Sequence, residues 1–528
     1  MKYTATKALF LVSVLSLLGP VSGLFLEIAL AWRFGSSPTM DSFRISMIIL
    51  LLANQLFFGT LLPNVLIPIM MRIKERDGDL KTWQFSFTIV IILTPLTAIL
   101  SAYCFFYSKN LIFFLGPGLF GQSFEDAIIL LKWFGFINIF ILWSGILSSS
   151  LNTYRVFWLT PAVKLIPNLF VVSFILILGR KFDVVFLAIT FFLAHLCIFL
   201  MFVYVSINKI SQLGLKIFAC LRFSFFSELF LAGRMSIPLC MFILISVLGD
   251  VVISREFSLM DPGTVAIFGY AWKLLALIGL IPGGLLVVVL PYLSEAAAKK
   301  DNPKLKYLMS RSIRFTLITS LPLTGFVLVQ SPYIVDLLFG HGNMKIASVV
   351  KVSEFLRIIV FSTTGAALFA LISKLFFSLG NTITPMIVSI LSTMMILILI
   401  PISADILGPE GILWTINVVS YVGFILLFLY QIFRYGIVGI REEIVFFFKI
   451  SIITIISSVI IYLLKSVWQL DYPSTILMTT FYLTSMGVIY FGTGLILCSL
   501  FRLKEASEVL VYMRWQLQKI RTGFDKNA

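Results

Sequence analysis

Apolar residues run along this chain in long blocks, separated by short polar segments that are mostly basic. The blocks fall at about 9–32, 45–70, 84–107, 125–150, 157–179, 183–207, 235–257, 264–294, 313–340, 350–379, 385–407, 411–433, 445–465 and 472–501. About 20 apolar residues in α-helix cross a hydrocarbon layer roughly 30 Å thick. Backbone groups in lipid must find partners inside their own segment, which favours the helix. The pattern therefore predicts an all-α polytopic membrane protein with about 14 transmembrane helices. Polar residues or prolines interrupt the seventh, tenth and eleventh blocks. The connections are too short to hold a soluble domain between spans.

Composition agrees with this reading. Of 528 residues, 60% are hydrophobic and only 12% charged, and the mean hydropathy is +1.05. The net charge of +16 raises the question of a nucleic-acid partner, and its placement answers it. With the N-terminus in the cytoplasm, the loops on that side and their helix ends hold 26 of the 40 Lys and Arg residues. The opposite loops hold Arg33, Lys109, Arg180, Lys181, Lys345 and Lys465. This is the positive-inside asymmetry, and it places both termini in the cytoplasm. The surplus is a topology signal that also suits contact with anionic membrane lipids, and no nucleic acid is expected. Lys2 and Lys7 before an apolar run resemble a signal peptide. The run is long, holds Glu27 and leads directly into another span, so it reads as an uncleaved first span. The five cysteines are scattered, and His195 and His341 are the only histidines. Neither a metal site nor a disulfide framework is expected.

Six spans in 1–207 and six in 235–433 suggest two six-helix bundles with a ligand site between them. A basic linker, 208–234, carries the aromatic stretch "LRFSFFSELFLAG", suited to the cytoplasmic membrane surface. Two additional spans occupy 434–501, and the basic tail 502–528 has apolar positions at helical spacing.

Charges within the spans are the candidate chemistry. A charge at the bilayer centre costs roughly 2.5–3.5 kcal/mol on insertion scales, so it must pair, snorkel or face water. Lys351, Glu354 and Arg357 stand at three-residue spacing near a span end and read as an interfacial charge ladder. Arg255, Asp336 and Lys164 also lie near span ends, within reach of snorkelling, and Lys132 fits snorkelling and function equally. Glu27, Asp250, Lys273 and Lys374 are harder to dismiss. Lys273 and Asp250 each lie about two turns inside consecutive spans, so they read either as a structural ion pair or as the lining of an anion-receiving cavity. Lys374 either snorkels to the cytoplasmic side or serves function. Pro282, Gly283 and Gly284 interrupt the span of Lys273 and suggest a bend. No P-loop, GxSxG or HExxH motif is present, and nothing points to an enzyme.

Several stretches carry a more specific signal. "ALAWRFGSSPTMDSF" (29–43), "GILSSSLNTYRVFWLTPAVKLIPNL" (145–169), "GYAWKLLALIGLIPGGLLVVVLPYLSEAAAKKD" (269–301), "LLFGHG" (337–342) and "LISKLFFSLGNTITP" (371–385) occur in order and at compatible spacing. Together they resemble the MurJ/MviN family of lipid II flippases in the MOP exporter superfamily, over most of residues 20–440. The resemblance implies a V-shaped pair of six-helix bundles plus two C-terminal helices. It also implies a central cavity whose basic residues meet the pyrophosphate of an undecaprenyl-linked peptidoglycan precursor. Lys273 falls on the eighth-span arginine of relatives, and Lys374 on another basic position. Asp41 belongs to the first-loop pattern.

The departures from that pattern are local. Where relatives carry two first-span arginines, this chain has Pro20 and Leu26, with Gly23 and Glu27 retained. Asn54 stands at the second-span arginine. Asp250 lies about one turn from a seventh-span sodium position, and the eleventh span, "SILSTMMILILI" (389–400), offers only Ser and Thr. No cofactor is expected; the resemblance leaves coupling to the membrane potential or to an ion, without a matching sodium site. Arg44, three residues after Asp41, is a second candidate cation for phosphate. The expected function is a flippase in the bacterial inner membrane working by alternating access, with cell-wall synthesis proteins as candidate partners. Three alternatives stay open: export of another lipid-linked oligosaccharide, drug antiport within the superfamily, and a non-transporting membrane scaffold.

Overall fold

The computed structural model describes residues 2–59, 61–223, 227–467 and 475–503. Side chains are described from residue 18 onward except at 180, 285–288 and 467. The expected tail at 502–528 lies almost wholly outside the described residues. Those described are predominantly α-helical and contain no strand.

The helices are α1 (Lys2–Phe34), α2 (Pro38–Asn54), α3 (Leu61–Phe106), α4 (Ser108–Leu115), α5 (Gln122–Thr153), α6 (Ala162–Leu178), α7 (Val184–Gln212), α8 (Ile217–Cys220), α9 (Glu228–Ser258) and α10 (Thr264–Ile278). They continue as α11 (Leu280–Ala298), α12 (Asn302–Phe339), α13 (Ile346–Ile359), α14 (Ser362–Ser378), α15 (Ile383–Tyr435), α16 (Ile440–Val467) and α17 (Ile476–Leu500). Among the described residues nine helices are long and apolar enough to cross a membrane, or ten if the bent pair α13–α14 is one span. Two long helices each contain a kink. Gly78, with φ 84°, interrupts α3, and Gly408, with φ 64°, interrupts α15. Only glycine takes such angles without strain. With those divisions, the described part of each of the fourteen apolar blocks lies largely on helix, as the hydropathy pattern anticipates. Large apolar side chains stay exposed along them, as in Leu96, Ile99, Leu176 and Phe433, which is what a lipid-facing surface requires.

The interruption near Pro282 falls earlier than the triplet itself. Helix α10 ends at Ile278, Gly279 is a turn, and Pro282 to Gly284 lie in the first turns of α11. Proline at 282 has no N–H to give to the Ile278 carbonyl, and its ring crowds that carbonyl, so the break is felt four residues upstream. Gly283 N–H still donates to the Gly279 carbonyl at 3.1 Å. A Cβ at Gly283 or Gly284 would meet nothing within 4 Å.

The chain forms two compact units. The first comprises the described residues up to Tyr270 with His341–Ser348 and Ile396–Pro409. In it α5 packs against α2, α3 and α7, and α1 packs along α6. Trp83, Leu151, Leu159, Ile198 and Phe202 form one of its buried apolar clusters. In the basic connection, Phe218, Phe223 and Phe230 are exposed. The second unit comprises Ala271–Gly340, Val349–Met395 and the described residues from Glu410. Here α12 is central, packed by α11, α14, α16 and α17 around Leu293, Met309, Leu317, Leu371, Phe376 and Ile450.

Candidate functional site

Three of the charged candidates come together in the first unit. Glu27, deep in α1, is 5% exposed. Arg44, two turns into α2, meets it with both arms of the guanidinium. Nη1 donates to Oε1 at 2.9 Å, and Nη2 pairs with Oε2. This fork-on-carboxylate geometry is the strong form of an ion pair. The Arg44 guanidinium also lies over the Tyr270 ring, 5.2 Å from its centroid. Gly269 leaves room for that placement, because a Cβ there would come within 2.5 Å of Arg44 Nε and 2.9 Å of Cζ.

Asp41, one turn before Arg44, is also buried and does different work. Its carboxylate accepts the backbone N–H of Gly263 at 2.5 Å and of Ala266 at 2.7 Å. Those are unsatisfied donors at the N-terminus of α10, where the helix dipole favours a negative charge. Asp41 thus caps a helix distant in sequence. The Tyr270 hydroxyl donates to the Gly35 carbonyl at 2.7 Å. Gly35 has φ 61°, in the turn between α1 and α2. The start of α10 is therefore fixed to α2 by Asp41, to the α1–α2 turn by Tyr270, and to Glu27 through Arg44. The sequence marks Glu27, Asp41 and Arg44 separately. It gives no role to Gly269 and Tyr270, whose only signal was membership of the "GYAWK" stretch.

The other candidates stand apart from this cluster. Asn54 turns its side chain back onto its own helix, Nδ2 donating to the Leu50 carbonyl at 2.8 Å. It is the last residue of α2, before a single π-helical turn at Gln55–Gly59. Asp250 is half-buried on α9 in the first unit. Lys273 is half-buried on α10, three residues after Tyr270 and so on the same helix face, and belongs to the second unit. Lys374, on α14, is half-buried with its ammonium 5.7 Å from the Phe377 ring centroid. Of the interfacial ladder, Arg357 Nε donates to Ser331 Oγ at 3.0 Å.

The first unit also contains a polar cavity of about 490 Å³ that sequence reading did not single out. Arg33, Thr39, Gln122, Asp126, Asp183 and Asn343 are among its lining. Asp126 accepts from Thr39 Oγ1 at 3.1 Å and from Gln122 Nε2 at 2.8 Å, and Asn343 Nδ2 donates to the Arg33 carbonyl at 2.7 Å. These residues lie on helix ends and connections far apart in the chain, so no local pattern could have joined them. Among the described residues no group of His, Cys, Asp and Glu could hold a metal ion, and the five cysteines are free.

A bundle of long apolar helices with charged groups fixed inside its spans defines a class, the polytopic helical membrane proteins. Solved structures agree on the fold. The lipid II flippase MurJ in an inward closed conformation superposes with a TM-score of 0.79 at 21% identity, covering 93% of this chain and 98% of that one. An inward-facing multidrug resistance MATE transporter of the MOP superfamily gives 0.67 at 18% identity, covering 80% and 98%.

The family model "Lipid II flippase MurJ" matches residues 30–483, and the chain belongs to that family. The probable lipid II flippase MurJ of Buchnera aphidicola subsp. Schizaphis graminum is 24% identical over 460 residues, 85% of this chain and 88% of the relative. The lipid II flippase MurJ of Burkholderia cenocepacia is 23% identical over 437 residues, 80% and 83%.

Proposed function

We propose that the chain moves lipid II, a polyprenyl-pyrophosphate-linked glycan, from the inner to the outer leaflet of the bacterial cytoplasmic membrane. The observation that carries this reading is the family match across residues 30–483, which takes in the described spans from α2 through α16. The protein is a transporter in this account and performs no covalent step. Both termini lie in the cytoplasm, supported by the asymmetry of Lys and Arg between alternate loops.

Transport proceeds by alternating access, with the two six-helix halves, 1–207 and 235–433, exchanging exposure of one site. Lys273 meets the pyrophosphate as a flexible point charge, half-buried on α10. Glu27 and Arg44 act mainly on each other. Their pairing brings a near-neutral polar centre into the span and fixes the helix that carries Lys273. Asp41 serves the same end as a cap. Gly279 to Gly284 let the eighth span bend between states. The membrane potential or an ion gradient supplies the drive, without a resident cofactor.

Expression in a strain depleted of its own lipid II flippase tests the reading. Growth restored by the wild-type chain and lost with Lys273→Ala, at equal membrane abundance, is the expected result. Failure of an abundant wild-type chain to restore growth would overturn the peptidoglycan cargo. Equal rescue by Lys273→Ala would remove that residue from the site and favour a scaffold role.

A further inference from the structure

The polar cavity of the first unit is lined by the end of α1 and its turn into α2, the starts of α5 and α7, and the loop that carries Asn343. All of these segments belong to that unit. In the orientation proposed above they lie at the outer face, where α1 ends and where α5 and α7 begin. Hydrogen bonds across long stretches of chain hold the walls. The Asn343 N–H donates to the Trp32 carbonyl at 2.9 Å, and its Nδ2 to the Arg33 carbonyl at 2.7 Å. Ser36 Oγ donates to Ser348 Oγ at 2.6 Å. Ser42 and Ser46 of α2 donate to the Ser123 and Ala127 carbonyls of α5, at 2.6 and 3.0 Å. The cavity is thus preformed. Its volume of about 490 Å³ falls among small-molecule sites, which span about 300–1,000 Å³.

The lining mixes charge, amide and hydroxyl. Asp126 is 5% exposed, with Oδ2 accepting from Thr39 Oγ1 at 3.1 Å and Oδ1 from Gln122 Nε2 at 2.8 Å. Each carboxylate oxygen has a second lone pair, so this group accepts a fork of two further donors. Asp183 caps α7, its Oδ1 accepting the Phe186 N–H at 2.9 Å. Arg33 brings a guanidinium, 5.0 Å from the Phe34 ring centroid, and Asn343 keeps its amide oxygen as an acceptor. Ile129 and Val185 add an apolar stretch of wall. This set selects by exclusion. Two carboxylates against one guanidinium repel an anion, and the guanidinium opposes a lone cation. An apolar guest would strip water from the Asp126 carboxylate and give it nothing in return. Among the described residues no group could hold a metal ion. A neutral molecule with several hydroxyls and a C–H face meets every requirement. Neighbouring hydroxyls donate to a carboxylate as a fork, their oxygens accept from a guanidinium or an amide, and the C–H face rests on the apolar wall.

We propose that this cavity binds a sugar ring at the outer face and, resting on the flippase reading above, that the ring belongs to the glycan of the cargo once it has crossed. Asp126 receives two neighbouring hydroxyls, Arg33 donates to ring or hydroxyl oxygens, and Ile129 and Val185 carry the C–H face. A headgroup arriving there exchanges its hydrogen bonds for new ones before it leaves into the outer leaflet. The cavity uses none of the Glu27, Arg44 and Lys273 side chains, so it can be altered separately from them.

Saturation-transfer difference NMR on the full-length protein in nanodiscs, with free N-acetylglucosamine as the probe, tests the site without any transport step. The wild-type protein is expected to saturate the ring protons of this neutral sugar. Asp126→Asn and Gln122→Ala are each expected to cut the signal several-fold. Val185→Trp, which sets a bulky ring on the cavity wall, is expected to abolish it. Gln122 and Val185 are exposed, so their replacement leaves the packing of the unit intact even if Asp126→Asn does not fold. A wild-type signal no greater than that of empty nanodiscs would overturn the sugar site. So would a signal unchanged in Gln122→Ala and Val185→Trp, or one displaced by equimolar acetate or methylammonium, which marks a site that selects charge. Growth of the flippase-depleted strain separates the two readings. Restored growth without sugar binding removes the sugar site and keeps the flippase; sugar binding without restored growth keeps the sugar site and removes the flippase.

Discussion

At the residue scale the Glu27–Arg44 pair is the feature with the largest consequence. Removing one member leaves the other buried and uncompensated, which costs about 3–5 kcal/mol in comparable sites. Arg44→Met and Glu27→Gln should each lower the thermal midpoint of the purified protein sharply, and the double replacement Glu27→Gln, Arg44→Met should lose less than the two singles combined. A double-mutant cycle on thermal unfolding measures the coupling. Gly269→Ala should behave like a loss of Arg44, because its methyl group would sit where the guanidinium is. Each of these charges is conspicuous in the sequence as polar within apolar runs. Their pairing is not, because it depends on the turn after α1 bringing Arg44 within reach of Glu27. Tyr270 and the Asp41 cap are hidden for the same reason: their partners lie more than 200 residues away.

At the element scale, hydropathy made the helices legible, while the kinks within them carried no signal that sequence reading used. Lipid demands a long apolar run, so the apolar blocks were visible as helix; the kinks at Gly78 and Gly408 fall between adjacent blocks. The break near Pro282 was legible only to within a turn, since proline acts on the carbonyl four residues before it. Gly283 separates packing from motion. Its Cβ position is empty, so Gly283→Ala should leave the thermal midpoint unchanged or slightly raised, as removing a helix glycine gains up to about 1 kcal/mol. If bending there serves transport, the same variant should complement poorly at normal abundance. Unimpaired growth would show that the eighth span need not flex at this point.

At the scale of the whole molecule, the sequence carried the class and the resemblance carried the family; the match over residues 30–483 establishes the latter. The distribution of basic residues predicts an orientation that can be read directly. With the native cysteines replaced, a membrane-impermeant thiol reagent should label Lys345→Cys in intact cells and label Lys306→Cys only after the membrane is opened. The reverse pattern would invert the topology. The central claim is movement of lipid II between leaflets. Its most direct measurement is the fraction of lipid II reached by a headgroup-cleaving enzyme added outside cells whose own flippase has been removed. The account predicts that this fraction is maintained by the wild-type chain and falls with Lys273→Ala. Lipid II that stays protected while the wild-type protein is abundant in the membrane would contradict it.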